Sequence, residues 1–231
     1  YGGLKGWEFS AEVYWRRLDN VLETKDGKLA LSTTENWEDN VATGVGRAYG
    51  AEVYVQKTSG KVTGICSYTL SKSERRFPDK AINNGKWYPF ANDRRHNIRI
   101  AAMCKFNDRI DAAASWVFMS GNYMTVPERE TVYVDPEGKF HYLHYVSCRN
   151  NYKLPPTHHL DLSVNFTKHK KKGERVWTVG LYNAYCAMNP DWTYVNDIWS
   201  KDGAEKASYS ANITKLSFLT ILPSVSYTYR F

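Results

Sequence analysis

The last eight residues, Ser224 to Phe231, constrain this chain more than any other stretch. Val225, Tyr227, Tyr229 and Phe231 fall on one face of an extended strand, and Ser224, Ser226, Thr228 and Arg230 fall on the other, because successive strand side chains point to opposite sides. Rings at every second position with hydroxyls between them suit a wall that separates hydrocarbon from a wet interior. A soluble antiparallel sheet carries the same alternation on an edge strand, so this segment alone leaves both surroundings open.

The alternation recurs along the chain. Eight candidate strands fall at 5–17, 45–58, 61–75, 94–107, 109–121, 157–168, 175–187 and 215–231. In the first, Trp7, Phe9, Ala11, Val13 and Trp15 alternate with Glu8, Ser10, Glu12, Tyr14 and Arg16. In the sixth, Leu160, Leu162, Val164 and Phe166 oppose His159, Asp161, Ser163 and Asn165. Many of these runs reach the roughly nine to eleven residues that a tilted spanning strand needs. Their connections alternate too. Short turns at 57–61, 107–109 and 169–174 separate long loops at 18–44, 76–93, 122–156 and 188–214. A soluble sandwich has no reason to keep that rhythm, whereas an outer-membrane barrel has short periplasmic turns and long external loops. The order places the C-terminus on the periplasmic side. Pro223 lies inside the eighth strand, where it cannot donate to a ladder, and predicts a bulge near the outer rim.

Composition narrows the function. Mean hydropathy is −0.56, and no run of about eighteen apolar residues exists, which excludes a helical membrane protein. Low average hydropathy does not count against a barrel. The 17 Tyr and 8 Trp fit interfacial girdles of amphipathic rings. The net charge of +7 gathers at Lys168, Lys170, Lys171, Lys172 and Arg175 and at Arg94-Arg95-His96. Those positions are turns or strand ends, which suits solvent or lipid headgroups better than nucleic acid. Cys66, Cys104, Cys148 and Cys186 show no paired spacing and read as free thiols. Gly44-Val45-Gly46 with Gly50 precedes a strand and not a helix, so a phosphate loop fails on context. Asp19, Asp26, Glu35, Glu38 and Asp39 offer carboxylates with nothing to fix a glycosidase pair. His141 and His144 lie in a Tyr-rich loop with no supporting carboxylate spacing. His158 and His159 point to opposite faces of a strand and cannot share one ion. No enzyme, cofactor or metal site is expected.

Several stretches together carry a resemblance: Ala48-Tyr49-Gly50-Ala51-Glu52, Ser67-Tyr68-Thr69-Leu70-Ser71-Lys72-Ser73, Asn92-Asp93-Arg94-Arg95-His96, Pro156 to Leu162, Leu181-Tyr182-Asn183-Ala184-Tyr185, and the terminal strand. They cover nearly the whole length, and with them the chain resembles the C-terminal barrel portion of a TonB-dependent outer-membrane receptor of the Bacteroidetes type. The resemblance implies an all-β, antiparallel transmembrane barrel of about 22 strands, of which 1–231 would supply the last eight. It implies that Val225, Tyr227, Tyr229 and Phe231 form the strand read by the barrel-assembly machinery. It also implies import of a scarce ligand (siderophore, haem, cobalamin, glycan or peptide) driven by the TonB, ExbB and ExbD complex acting on a plug. The expected partners are the remaining N-terminal part with plug and earlier strands, outer-membrane lipid and, in glycan importers, a surface lipoprotein lid; nucleic acid is not expected. The chain starts at Tyr1 without Met or signal peptide and is read as part of a longer protein. Candidate ligand-facing residues are Trp37, Trp87, Tyr88, Tyr142, Tyr145, Trp192 and Trp199 in the long loops, with His159 and Asp161 on the lumen side. Two other readings stay open: an autonomous eight-stranded barrel, structural or adhesive, whose first strand pairs with its eighth, and a soluble glycan-binding β-sandwich.

Overall fold

The computed structural model describes residues 4–28, 36–171, 173–202 and 206–231. Its eight long strands are β1 (Trp7–Thr24), β2 (Val41–Lys57), β3 (Val62–Arg76), β4 (His96–Lys105), β5 (Ile110–Met119), β6 (Thr157–Lys170), β7 (Gly173–Tyr182) and β8 (Leu222–Arg230). They pair in chain order, each antiparallel to the next, in a single sheet. Valine, isoleucine, threonine and aromatic side chains fit the pleated surface, and tight reversals set the register. Between β4 and β5, Asn107 Oδ1 accepts the backbone N–H groups of Arg109 at 2.8 Å and Ile110 at 3.0 Å. Such side-chain mimicry of a turn is why Asn favours reversals.

Up to the shift in β1 between Leu18 and Val21, at the loop end, register carries the alternation across the eight strands without a slip of face. The row Trp7, Lys57, Gly64, Ala102, Ala114, Leu162, Leu181 and Pro223 runs over all eight strands. The row two steps on, Ala11, Val53, Tyr68, Ile98, Phe118 and His158, lies on the same, apolar face. The opposite face reads Glu8, Gln56, Ile65, Ala101, Ser115 and Asp161 in one row and Glu12, Glu52, Thr69, Asn97, Met119 and Thr157 in another.

The apolar face is bare. Val13 is 84% exposed and Val225 65%. Each such side chain forgoes about 1.5–3 kcal/mol unless a nonpolar medium covers it. The described buried apolar residues, Ala42, Phe77, Ile82, Tyr88, Val126 and Ala187, all lie at the long-loop end. The chain therefore has the fold of a barrel wall, with no protein core behind its apolar face among the described residues. Among the described residues, the other sheets are two-stranded hairpins or bridges and nothing pairs β1 with β8. Among the described residues neither a sandwich nor a closed eight-stranded barrel is found, and both edges of the sheet are unpaired.

The loop end departs from the sequence reading in several places. Strand β1 continues to Thr24 across a register shift between Leu18 and Val21, where Asn20 takes φ 56°. No bulge marks Pro223; it faces Leu181 in unbroken register. Strand β7 stops at Tyr182 because Asn183 turns left-handed at φ 51°. Residues 215 and 216, assigned to the last strand, end a separate hairpin of Trp192–Asp202 with Lys206–Leu216. The loop between β5 and β6 holds a second hairpin, Arg129–Val134 with Phe140–Tyr145.

Candidate functional site at the loop end

The connections between β1 and β2, β3 and β4, and β5 and β6 meet above one end of the wall. Phe77, Ile82 and Tyr88 from the second pack on Ala42 of β2, with Val21 of β1 beside them. Phe77 and Tyr88 stack with ring centroids 6.3 Å apart. Tyr88, a sequence candidate for ligand contact, is 1% exposed and is therefore core of this loop layer. Burial, reinforced by the nearby Glu23 carboxylate, pushes its hydroxyl up to about 12.

Arg149 staples the three connections. Its guanidinium donates to the Thr24 carbonyl at 2.7 Å, to Asp26 Oδ1 at 3.1 Å and to Glu23 Oε1 at 3.2 Å. The Arg149 backbone N–H donates to Asn83 Oδ1 at 3.1 Å, and the Asn83 N–H donates to Asp26 Oδ2 at 2.7 Å. Arg75 completes the set: it donates to Glu23 Oε2 at 2.9 Å and lies 3.7 Å over the Phe90 ring. Charge-assisted bonds of this kind are about twice as strong as neutral ones, and here they converge from residues far apart in sequence. Beside the staple opens a cleft of about 500 Å³ lined by Asp26, Asn83, Thr125, His144, Cys148 and Arg149, among others. Burial raises the Cys148 thiol above its usual range.

A second set of contacts ties the loop end to the sheet. Asp93 accepts the Ser73 N–H at 2.7 Å, and its burial raises its carboxyl. Arg94 donates to the Ser120 carbonyl at 3.4 Å and to Thr157 Oγ1 at 3.2 Å, while burial lowers its guanidinium from the usual value. Asn150 Nδ2 donates to the Pro89 carbonyl at 2.7 Å.

The remaining candidates are dispersed. Trp37 is exposed on a short 3-10 turn, Tyr145 ends the 129–145 hairpin and Trp192 begins the 192–216 hairpin. Trp87 lies under the Arg47 guanidinium, 4.3 Å from ring centroid to Cζ. The side chains of Tyr142 and Trp199 lie outside the described residues. On the polar face, His159 Nε2 sits 3.4 Å from Asp161 Oδ2, and its ring lies 4.9 Å from Tyr182. Asp111, Asn165 and Thr178 continue this face as a chain of 2.7 Å bonds across β5, β6 and β7. His158 points the other way and joins Phe118, Trp116 and Tyr185 in an aromatic band on the apolar face.

Sequence reasoning missed Arg149, Glu23 and Asn83 and named Asp26 only as an unpaired loop carboxylate, since no local pattern marks a staple between distant loops. No family model matches the chain, and no curated protein matches it. Its backbone is similar to the ferripyoverdine receptor of the outer membrane of Pseudomonas aeruginosa, solved with ferripyoverdine bound. The TM-score is 0.50 at 14% identity over 82% of this chain, which spans 22% of that receptor's length. The likeness is one of fold, an outer-membrane barrel wall.

Proposed function

We propose that this chain is part of the barrel wall of a TonB-dependent outer-membrane receptor, a transporter and not an enzyme, that imports a scarce ligand with energy from the inner membrane. The observation that carries the reading is the sheet itself: one apolar face, one polar face and two open edges. In hydrocarbon an unpaired edge costs several kcal/mol per unsatisfied group, so a spanning sheet must close. Further strands of the same receptor would close it, and a plug would sit against the polar face that holds His159, Asp161, Asp111 and Asn165. The short-turn end and C-terminus would face the periplasm, and the stapled loops would face outward and take part in capture. Val225, Tyr227 and Tyr229, exposed on the apolar face of β8, and Phe231 just past its end would be the segment offered to the assembly machinery.

Uptake by cells with and without the intact gene tests this, measured for ferric siderophores, haem and oligosaccharides, each with and without a protonophore. Loss of one ligand's uptake in the deletion strain and under the protonophore is expected. Uptake that persists after the proton gradient is collapsed would sink the energised-transport reading.

A further inference from the structure

The apolar face carries a groove of about 430 Å³ over β1, β2 and β3. Val13, Trp15, Tyr49, Ala51 and Leu70 line it, and Lys72 and Arg95 stand at its loop-end margin. Above it Glu74 binds two cations at once, Arg47 at 2.7 Å and Lys72 at 2.6 Å. Exposure is uneven within this cluster. The Lys72 and Arg47 side chains are 30% and 39% exposed, whereas Glu74 is 10% exposed and the nearby Asp93 is 3% exposed as a residue. A group approaching from the membrane side therefore meets the cations first, with the carboxylates behind them. The aromatic band beyond, at Trp116, Phe118, His158 and Tyr185, holds no lysine or arginine.

From this we infer that the groove seats one anionic, phosphate-bearing lipid of the leaflet at the loop end. The inference rests on the barrel reading above, which puts that end at the outer leaflet. Its phosphate lies against Lys72 and Arg95, and an acyl chain runs along Val13, Trp15 and Leu70. Basic side chains at a membrane surface attract anionic headgroups, and rings at the interface hold the chain's entry point. The occupant is set by charge complementarity above and continuity with the hydrocarbon-facing rows below.

The test uses the intact receptor extracted in mild detergent, with retained phosphorylated lipid counted by native mass spectrometry. Binding of added phosphatidylglycerol is then titrated on delipidated protein. Wild type is expected to retain lipid, and the Lys72→Gln/Arg95→Gln variant to bind phosphatidylglycerol about 30-fold more weakly, at about a factor of five per cation. Trp15→Ser should weaken lipid binding without touching a charge, and Lys168→Gln at the opposite end should leave it unchanged. Heat-modifiable mobility in gels confirms that each variant is folded. Equal binding by wild type and the double variant would overturn the proposal, as would equal competition by inorganic phosphate, which would mark a site for the ion alone. A particle that stays monodisperse without detergent would instead bring down the barrel reading.

Discussion

Where β4 passes into β5, the bonds that hold the reversal span two and three residues, from Asn107 to Arg109 and Ile110. At the other end of the same wall, Arg149 holds Thr24, Asp26 and Glu23 across 125, 123 and 126 positions. That reversal is held by neighbours in sequence, so its geometry follows from residue type. The loop end is built from residues that meet only after the sheet has formed, so its geometry follows from the register of the wall. That division suits a barrel whose turns need only reverse the chain while its loops shape a surface.

Substitutions at the two ends and in the wall between them separate these rules. The wall sets the largest scale. Ile100→Arg, on the apolar face midway along β4, is expected to cost roughly 2–4 kcal/mol. Ser115→Arg on the polar face of β5 should cost far less. Urea unfolding in lipid vesicles checks the pair, and equal costs would deny that the two faces meet different media. At the loop end, Arg149→Ala leaves Glu23 and Asp26 without their shared cation and should cost about 1–3 kcal/mol. Hydrogen exchange should rise in residues 24–28 and 83–89 together, and a rise confined to one loop would break the staple.

Gly173 provides the matching test at the turn end. Its φ is 137°, and an added Cβ would stand 2.3 Å from the Arg230 carbonyl oxygen. Gly173→Ala is expected to cost about 1–3 kcal/mol and to loosen only the β6–β7 hairpin and the end of β8. Tyr88→Phe is the milder loop-end change. The buried hydroxyl has no hydrogen-bond partner among the described residues, so its removal should change stability by under about 1 kcal/mol or raise it.

The smallest effect concerns pH. Asp135 accepts a 2.6 Å bond from His141, which holds its carboxyl below the usual range. A depressed folded value means stabilisation that is present above pH about 3.8 and is lost as pH falls through the folded value. Exchange protection of the 129–145 hairpin should therefore drop in acid, and Asp135→Asn should reduce that dependence, leaving the share carried by Glu128, which Ser147 and Asn151 hold below its usual range.

All eight wall strands were legible in the sequence because period-two alternation and tight turns are local. Their loop-end limits were not, because pairing partners decide them: β1 runs on to Thr24 as long as Val41 lies opposite. The 129–145 hairpin carries a local signal in its turn. Asp135-Pro136-Glu137-Gly138 is a turn with Gly138 at φ 83°, flanked by alternating residues. The burial of Tyr88 was not legible, because a loop aromatic looks the same in sequence whether it packs on a ring such as Phe77 or faces solvent. The staple had no cue at all, since a charge pairing across more than a hundred residues leaves no period.

The mass of the native particle, extracted in detergent and then denatured for mass spectrometry, tests the open wall most directly. The proposed receptor, in which further strands close both edges, predicts a polypeptide far heavier than 26.6 kDa that contains this sequence. A particle built from this 26.6 kDa chain alone would contradict the open wall and, with it, the receptor reading.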